Sequence, residues 1–234
     1  MSDVEEIAKA IQKTAQFGEK SLDSAEKLGG FFARVFQEPL EEIAGMVTDK
    51  LRFVRWRRLV QMGDEVNEIL IGRNVFKSRA VPPKLALPIF EESSLEDDDE
   101  LRKLWTKLLA NAMDPNFTGE IRYAFIDMIK QITSLEVRIL YNFYELLKKE
   151  DKISYLAKIA DYCLTNQQIR ILNGIDEVTY LISVYNLMRV QCVAPAVIKS
   201  KAMMIGNEQT TIFKGTDAIV LTPLGAKFVQ ACVL

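Results

Sequence analysis

The chain reads as a mainly α protein, with an N-terminal and central helical bundle followed by a winged-helix-like C-terminal domain carrying a small β-sheet. Three observations predict this. Leu101, Leu104, Trp105, Leu108, Leu109 and Ala112 recur at steps of three and four, the spacing of one buried helical face. Pro82-Pro83 and Thr222-Pro223 stand where helices start, because proline's fixed φ and missing N–H suit the first helical turn. Gly206-Asn207 separates two extended runs, as a hairpin turn does. The expected domains are 1–132, helical with a linker at about 73–82, and 133–234, winged-helix-like.

Taken in order, residues 2–27 place Ile7, Ile11 and Ala15 on one helical face. Gly29-Gly30 marks a bend before Phe31, Phe32, Val35 and Phe36, and Pro39 favours a new start. Helical periodicity resumes from Leu40 to about Gly72, where Phe53, Trp56, Val60 and Gly63 share a spacing, as do Val66, Ile69 and Leu70; Gly45 or Gly63 suits a kink or a close helix contact. After the linker, a helix over about 83–93 carries Leu85, Ile89 and Phe90 and is limited or kinked by Pro88. Ser94 is the expected N-cap of the next helix, with Asp97 to Glu100 loading its first turns with the negative charge a helix dipole favours; it runs to about Met113. Helices at about 120–131 and 134–149 follow, the second with Thr133 and Glu136 at capping-box spacing. Residues 166–173 and 176–189 read as short helices. Ala196–Ile205 and Gln209–Lys214 read as the hairpin, and Ala218–Leu221 as a third short strand. Thr222-Pro223 opens the last helix, on which Leu224 and Phe228 share a face.

Composition excludes several function classes. Net charge is −2, from 30 basic and 32 acidic side chains, so no global field draws the chain to nucleic acid or membrane. The sequence has no histidine, which removes Ser–His–Asp, Cys–His and His-ligated metal chemistry together. Cys163, Cys192 and Cys232 are odd in number and far apart, as free thiols in a reducing cytoplasm are. Neither a signal peptide nor a spanning segment is expected: residues 28–47 come nearest, and Arg34, Glu38, Glu41 and Glu42 interrupt them. No phosphate-binding glycine loop or nucleophile-elbow serine occurs, so no catalytic residue, metal or cofactor is assigned.

Four segments invite a functional reading beside a structural one. The acids Glu91, Glu92 and Glu96 to Glu100 suit a divalent cation, but acids in a first turn point in different directions and serve the helix dipole. Arg52, Arg55, Arg57 and Arg58, with Lys50, surround Phe53 and Trp56 in a pattern that suits nucleic acid or an acidic membrane; a solvated flank paired with Asp64, Glu65 or the acidic run is the plainer account. Residues 28–47 suit peripheral membrane contact, or a packed helix junction. In the C-terminal domain, the helix in the DNA-reading position opens with Asp176-Glu177 and has one basic residue, Arg189. Its other polar positions are Thr179, Tyr180, Ser183, Tyr185 and Asn186, and Lys199, Lys201 and Lys214 add charge on the hairpin. Phosphate neutralisation needs more cations than that helix offers.

The centre of the chain resembles the Abi-alpha family of bacterial abortive-infection proteins. The resemblance rests on Pro82-Pro83-Lys84, on Ser94-Leu95-Glu96-Asp97 through Leu101, and on the run from Leu104-Trp105 through Leu108, Leu109 and Asn111 to Asp114-Pro115. Gly29-Gly30-Phe31-Phe32, Pro39 to Glu42 and Arg55-Trp56-Arg57 extend it over roughly 25–230. It implies antiphage defence and carries no catalytic residue across. The expected function is therefore defence through protein–protein contacts or self-assembly in the cytoplasm, without catalysis. The alternatives are a winged-helix regulator that binds DNA and a metal-dependent toxin or nuclease built on acidic residues. A protein partner or a homo-oligomer is expected, with nucleic acid as the other partner class.

Overall fold

The computed structural model describes residues 27, 29–35, 53–148, 163–205 and 208–233; the side chains of 53–56, 147–148, 198–205 and 208–215 lie outside the description. Among the described residues the protein is mainly helical with one three-stranded antiparallel sheet. Its contacts divide it into two compact units, Met1–Lys130 and Gln131–Leu234.

The first unit contains a helical stretch covering 29–35, then α1 (Phe53–Gly72), α2 (Pro83–Ser93), α3 (Asp99–Met113) and α4 (Tyr123–Ile129). α3 is its centre. Leu101, Leu104, Trp105, Leu108 and Leu109 are buried along one face, and α1, α2 and α4 all pack on this helix. Fully burying each leucine contributes ~1.5–3 kcal/mol. On α1 the buried residues are Leu59, Met62, Val66 and Leu70, a face turned slightly from the one expected, since Val60 is only partly covered. Gly63 is a close helix contact: a Cβ there would stand 3.0 Å from the Phe31 ring. Phe31 and Phe32 are buried edge-on to Phe90, with centroids 5.8 and 5.0 Å away, so these two rings face the core. The rest of the 28–47 membrane expectation and the 2–27 helix lie outside the described residues, save Lys27 and 29–35.

One boundary moves. Ser94 does not start α3. It closes α2, its hydroxyl donating to the Glu91 carbonyl at 2.7 Å. Asp98 is the N-cap, its carboxylate accepting from the Glu100 and Leu101 backbone N–H groups at 2.8 and 3.2 Å. A carboxylate held in extended backbone reaches two of the four orphan donors of the first turn; Ser94, in helical backbone, reaches none of them.

The second unit runs α5 (Ser134–Lys148), β1 (Cys163–Thr165), α6 (Asn166–Asn173), α7 (Glu177–Arg189), β2 (Val193–Ile205), β3 (Glu208–Leu221) and α8 (Pro223–Phe228). A wider turn, Val229–Val233, follows and packs against α5. The sheet order is β1-β3-β2. The third strand is thus Cys163–Thr165, paired Cys163↔Val220 and Thr165↔Ala218, and not Ala218–Leu221. The latter is the end of a continuous β3. Gly215-Thr216-Asp217 does not interrupt it: the Thr216 hydroxyl donates to Ala196 O at 3.0 Å, beside the register shift at Pro195/Val197. Proline there has no N–H for the ladder. The register sets Ile205 opposite Glu208; Gly206-Asn207 lie outside the described residues. Thr222 caps α8 from its hydroxyl to Gly225 N at 2.8 Å, with Pro223 at the first position. Phe228 is fully buried and Leu224 partly so.

Candidate functional site

Two regions hold the residues singled out from the sequence. The first is the motif of the first unit. Pro82 and Pro83 set the start of α2 with extended backbone at Pro82, and Lys84 is exposed beside them. Leu101, Trp105, Leu108, Leu109 and Asn111 are buried. The polar end of the motif is held by the 73–82 connection. Arg73 reaches Asn111 Oδ1 at 2.6 Å and Asp114 Oδ2 at 3.3 Å. Arg79 donates from Nε to Ala112 O at 2.7 Å and from Nη2 to Asn111 O at 3.2 Å, while its backbone N–H meets Met113 O at 2.8 Å. Two guanidinium groups therefore close the C-terminus of α3, where the helix dipole favours cations and the last carbonyls lack partners. The motif residues read as a helix with both ends fixed.

The acids are engaged in the same way. Glu96 accepts from Asp98 N, Asp97 pairs with Arg58, Asp99 with Arg102 at 2.9 Å, Glu100 with Lys103 at 2.7 Å and Glu92 with Lys130 at 2.5 Å. The Lys103 and Lys130 ammonium groups are held above their usual range by these carboxylates. Leu95 is exposed at the turn between the two helices. Of the basic run, Arg58 also donates to Ser94 O at 3.2 Å, so it ties α1 to the turn before α3. Arg57 is exposed; Arg52 lies outside the described residues, and Arg55 is described by backbone alone, as are Lys199, Lys201 and Lys214. Lys199 sits opposite Phe213 and Lys214 opposite Ile198 in the hairpin.

The second region is α7. Its start is fixed by Asp176, whose carboxylate accepts from Thr179 N at 2.7 Å; that hydrogen bond holds the carboxyl below its usual range. The preceding helix α6 stops at Gly174, in the left-handed region that glycine adopts without strain. One face of α7 buries Tyr180, Ser183, Val184 and Leu187. Tyr180 and Ser183 are thus core residues rather than contact positions. The polar side chains at the far end reach the loop before α5. Asn186 Nδ2 donates to Gln131 O at 2.8 Å and to the buried Glu136 carboxylate at 3.0 Å, which also accepts from Thr133 N at 2.7 Å. Arg189 donates to Gln131 Oε1 at 2.6 Å and to Asn186 Oδ1 at 2.8 Å. The only basic residue of α7 is thereby fastened to the loop before α5. Nearby, burial pushes the Cys192 thiol up to about 12, with the Glu136 charge adding to it.

What remains toward solvent is apolar. Val178, Ile182 and Tyr185 are each 66% exposed and Leu181 39%, at spacings of three and four along one stripe. Ile171 and Leu172 at the end of α6 are 71% and 61% exposed. Sequence reasoning missed this surface. The signal was present: between Glu177 and Arg189 apolar residues occupy all sides of the helix, more than one buried face accommodates.

These features define a mainly helical protein of two units, with a sheet-bearing second unit that exposes an apolar helix face. The chain matches the abortive infection alpha family model over residues 57–232, and it belongs to that family. No curated protein and no solved structure matches it. No described helix is long and apolar enough to cross a membrane.

Proposed function

We propose that this protein defends a bacterial cell against phage by abortive infection, acting in the cytoplasm through protein–protein contacts of the α7 face and without a catalytic step. Family membership supports the defence role. The observation that carries the mode of action is the exposed stripe Val178, Leu181, Ile182 and Tyr185. Water-exposed apolar side chains gathered on one helix face mark a binding surface. We read the second unit as winged-helix-like, supported by its order of helix, strand, two helices, hairpin and helix, with the first strand paired to the last.

The usual use of such a unit, placing its third helix on DNA, is disfavoured by the chemistry of α7. Asp176 and Glu177 meet phosphates first, and Arg189 is the single cation of the helix. In a susceptible host, expression of the chain is expected to cut plaque number while infected cells die before releasing progeny. The purified chain is expected to leave random duplex unshifted at ~50 mM salt, where phosphate contacts are strongest. Nucleic-acid cleavage with magnesium or manganese that vanishes with Glu96→Gln or Asp99→Asn would overturn the non-catalytic reading. Tight, salt-sensitive duplex binding that falls with Lys199→Ala and Lys201→Ala would replace it with a DNA-binding one.

A further inference from the structure

We propose that two copies of this chain pair through α7, the helices antiparallel about a twofold axis near Ile182. The inference rests on the protein-contact reading above and names its partner. A twofold contact requires a patch that is its own complement. The α7 face has this property in both shape and charge. Its apolar stripe, Val178 to Tyr185, is bounded by Asp176-Glu177 at one end and Arg189 at the other, all exposed. The midpoint between Glu177 and Arg189 is Ser183, next to the apolar pair Leu181-Ile182 at the middle of the stripe. An antiparallel copy therefore lays Ile182 near Ile182 and sets each acidic end beside the other copy's Arg189. It also opposes the two helix dipoles, which is the favourable arrangement.

Arg189 is prepared for this role. Its guanidinium contacts are the neutral amide oxygens of Asn186 and Gln131, so it is held in place without pairing to a carboxylate among the described residues. Position 189 lies four residues from Tyr185 and seven from Ile182, on the same face. Glu177 flanks the stripe, its side chain 63% exposed and 3.8 Å from Arg170. A foreign partner of one charge sign would meet attraction at one end of this helix and repulsion at the other. A second copy meets attraction at both, and a net charge of −2 opposes pairing little.

The area suits a reversible contact. The four stripe residues expose on the order of 400 Å², within the range for the largest apolar patch on a monomer and below the ~800 Å² per partner of a standard-size interface, so pairing in the micromolar range is expected.

Sedimentation velocity on the full chain, from ~1 to ~100 μM, is the test, since that range spans ordinary reversible affinities. Twice the chain mass is expected. Ile182→Asp and Tyr185→Asp, both at exposed positions, should each raise the dimer Kd at least ~10-fold with the far-UV circular dichroism unchanged. Glu177→Arg and Arg189→Glu should each weaken pairing, and the two together should restore it. A monomer at every concentration overturns the proposal, as does a dimer that Ile182→Asp and Tyr185→Asp leave intact. A monomeric chain whose antiphage protection still falls with Ile182→Asp overturns self-pairing while leaving a different protein as the occupant. A dimeric chain whose protection survives Ile182→Asp, although the dimer is lost, keeps the pairing and removes its link to defence.

Discussion

Trp105 is the largest side chain of the first unit's core, 1% exposed on α3. Trp105→Ala leaves a cavity that α1, α2 and α4 can refill only in part, and such truncations cost ~3–5 kcal/mol. The indole N–H has no hydrogen-bond partner among the described residues, so no hydrogen bond is lost, and either truncation also sheds the cost of that buried donor. Trp105→Phe should behave differently. It gives up part of the ring, but it also removes a buried donor whose orphaning costs ~1–3 kcal/mol, and the two terms nearly offset. The contrast between the two variants is therefore the test. Trp56 and Trp105 are the chain's two tryptophans and both belong to the first unit, so emission during urea unfolding reads that unit, with Trp56 left as reporter in either variant. With a slope of ~1–3 kcal/mol per M, Trp105→Ala should lower the midpoint by roughly 1–5 M and Trp105→Phe by far less. Equal midpoints for Trp105→Ala and the parent chain would refute the placement of this side chain.

Four further outcomes are expected. Gly225→Ala should destabilise the second unit by more than ~3 kcal/mol, because its Cβ would land on the Cys192 carbonyl oxygen, which is backbone and cannot turn aside; circular dichroism melting checks this. Arg79→Ala should cost the first unit ~1–3 kcal/mol, with Arg79→Lys between it and the parent, because lysine keeps the charge at the α3 terminus but loses the two-pronged contact to Ala112 O and Asn111 O; urea midpoints decide it. A thiol reagent should label native Cys163 and spare Cys192 and Cys232 until unfolding. The Cys192 thiol also sets a sign for alkali. Its folded value is raised to about 12 from 9.0, so its contribution to stability is intact below pH 9.0 and is lost as pH rises toward 12, where the unfolded chain ionises first. Cys192→Ala should flatten that alkaline decline.

Much of the fold was legible because its signals were local. The α3 face needed only the three- and four-residue spacing of its leucines and Trp105. Pro83 and Thr222-Pro223 marked their helix starts by geometry that any context respects. The misses were of two kinds. Ser94 and Asp98 are both good caps by composition, and only the chain's path through 94–98 decides which one reaches free N–H groups. Cys163–Thr165 is a strand because β3 lies beside it, and three residues carry no alternation of their own. The candidate site was the least legible. Val178, Ile182 and Tyr185 have the spacing of a core face, and nothing local distinguishes them from Tyr180, Val184 and Leu187, which fill the core. Hydrogen bonds of Asn186 and Arg189 orient the helix, and they run to Gln131 and Glu136 some fifty residues earlier.

The central claim is that defence acts through the α7 face. The most direct measurement is the plating efficiency of a sensitive phage on hosts expressing the parent chain, Ile182→Asp or Tyr185→Asp at matched levels. These positions are exposed, so the variants should fold as the parent does. The account predicts strong protection from the parent and its loss in both variants. Full protection from both, at equal expression, would contradict it.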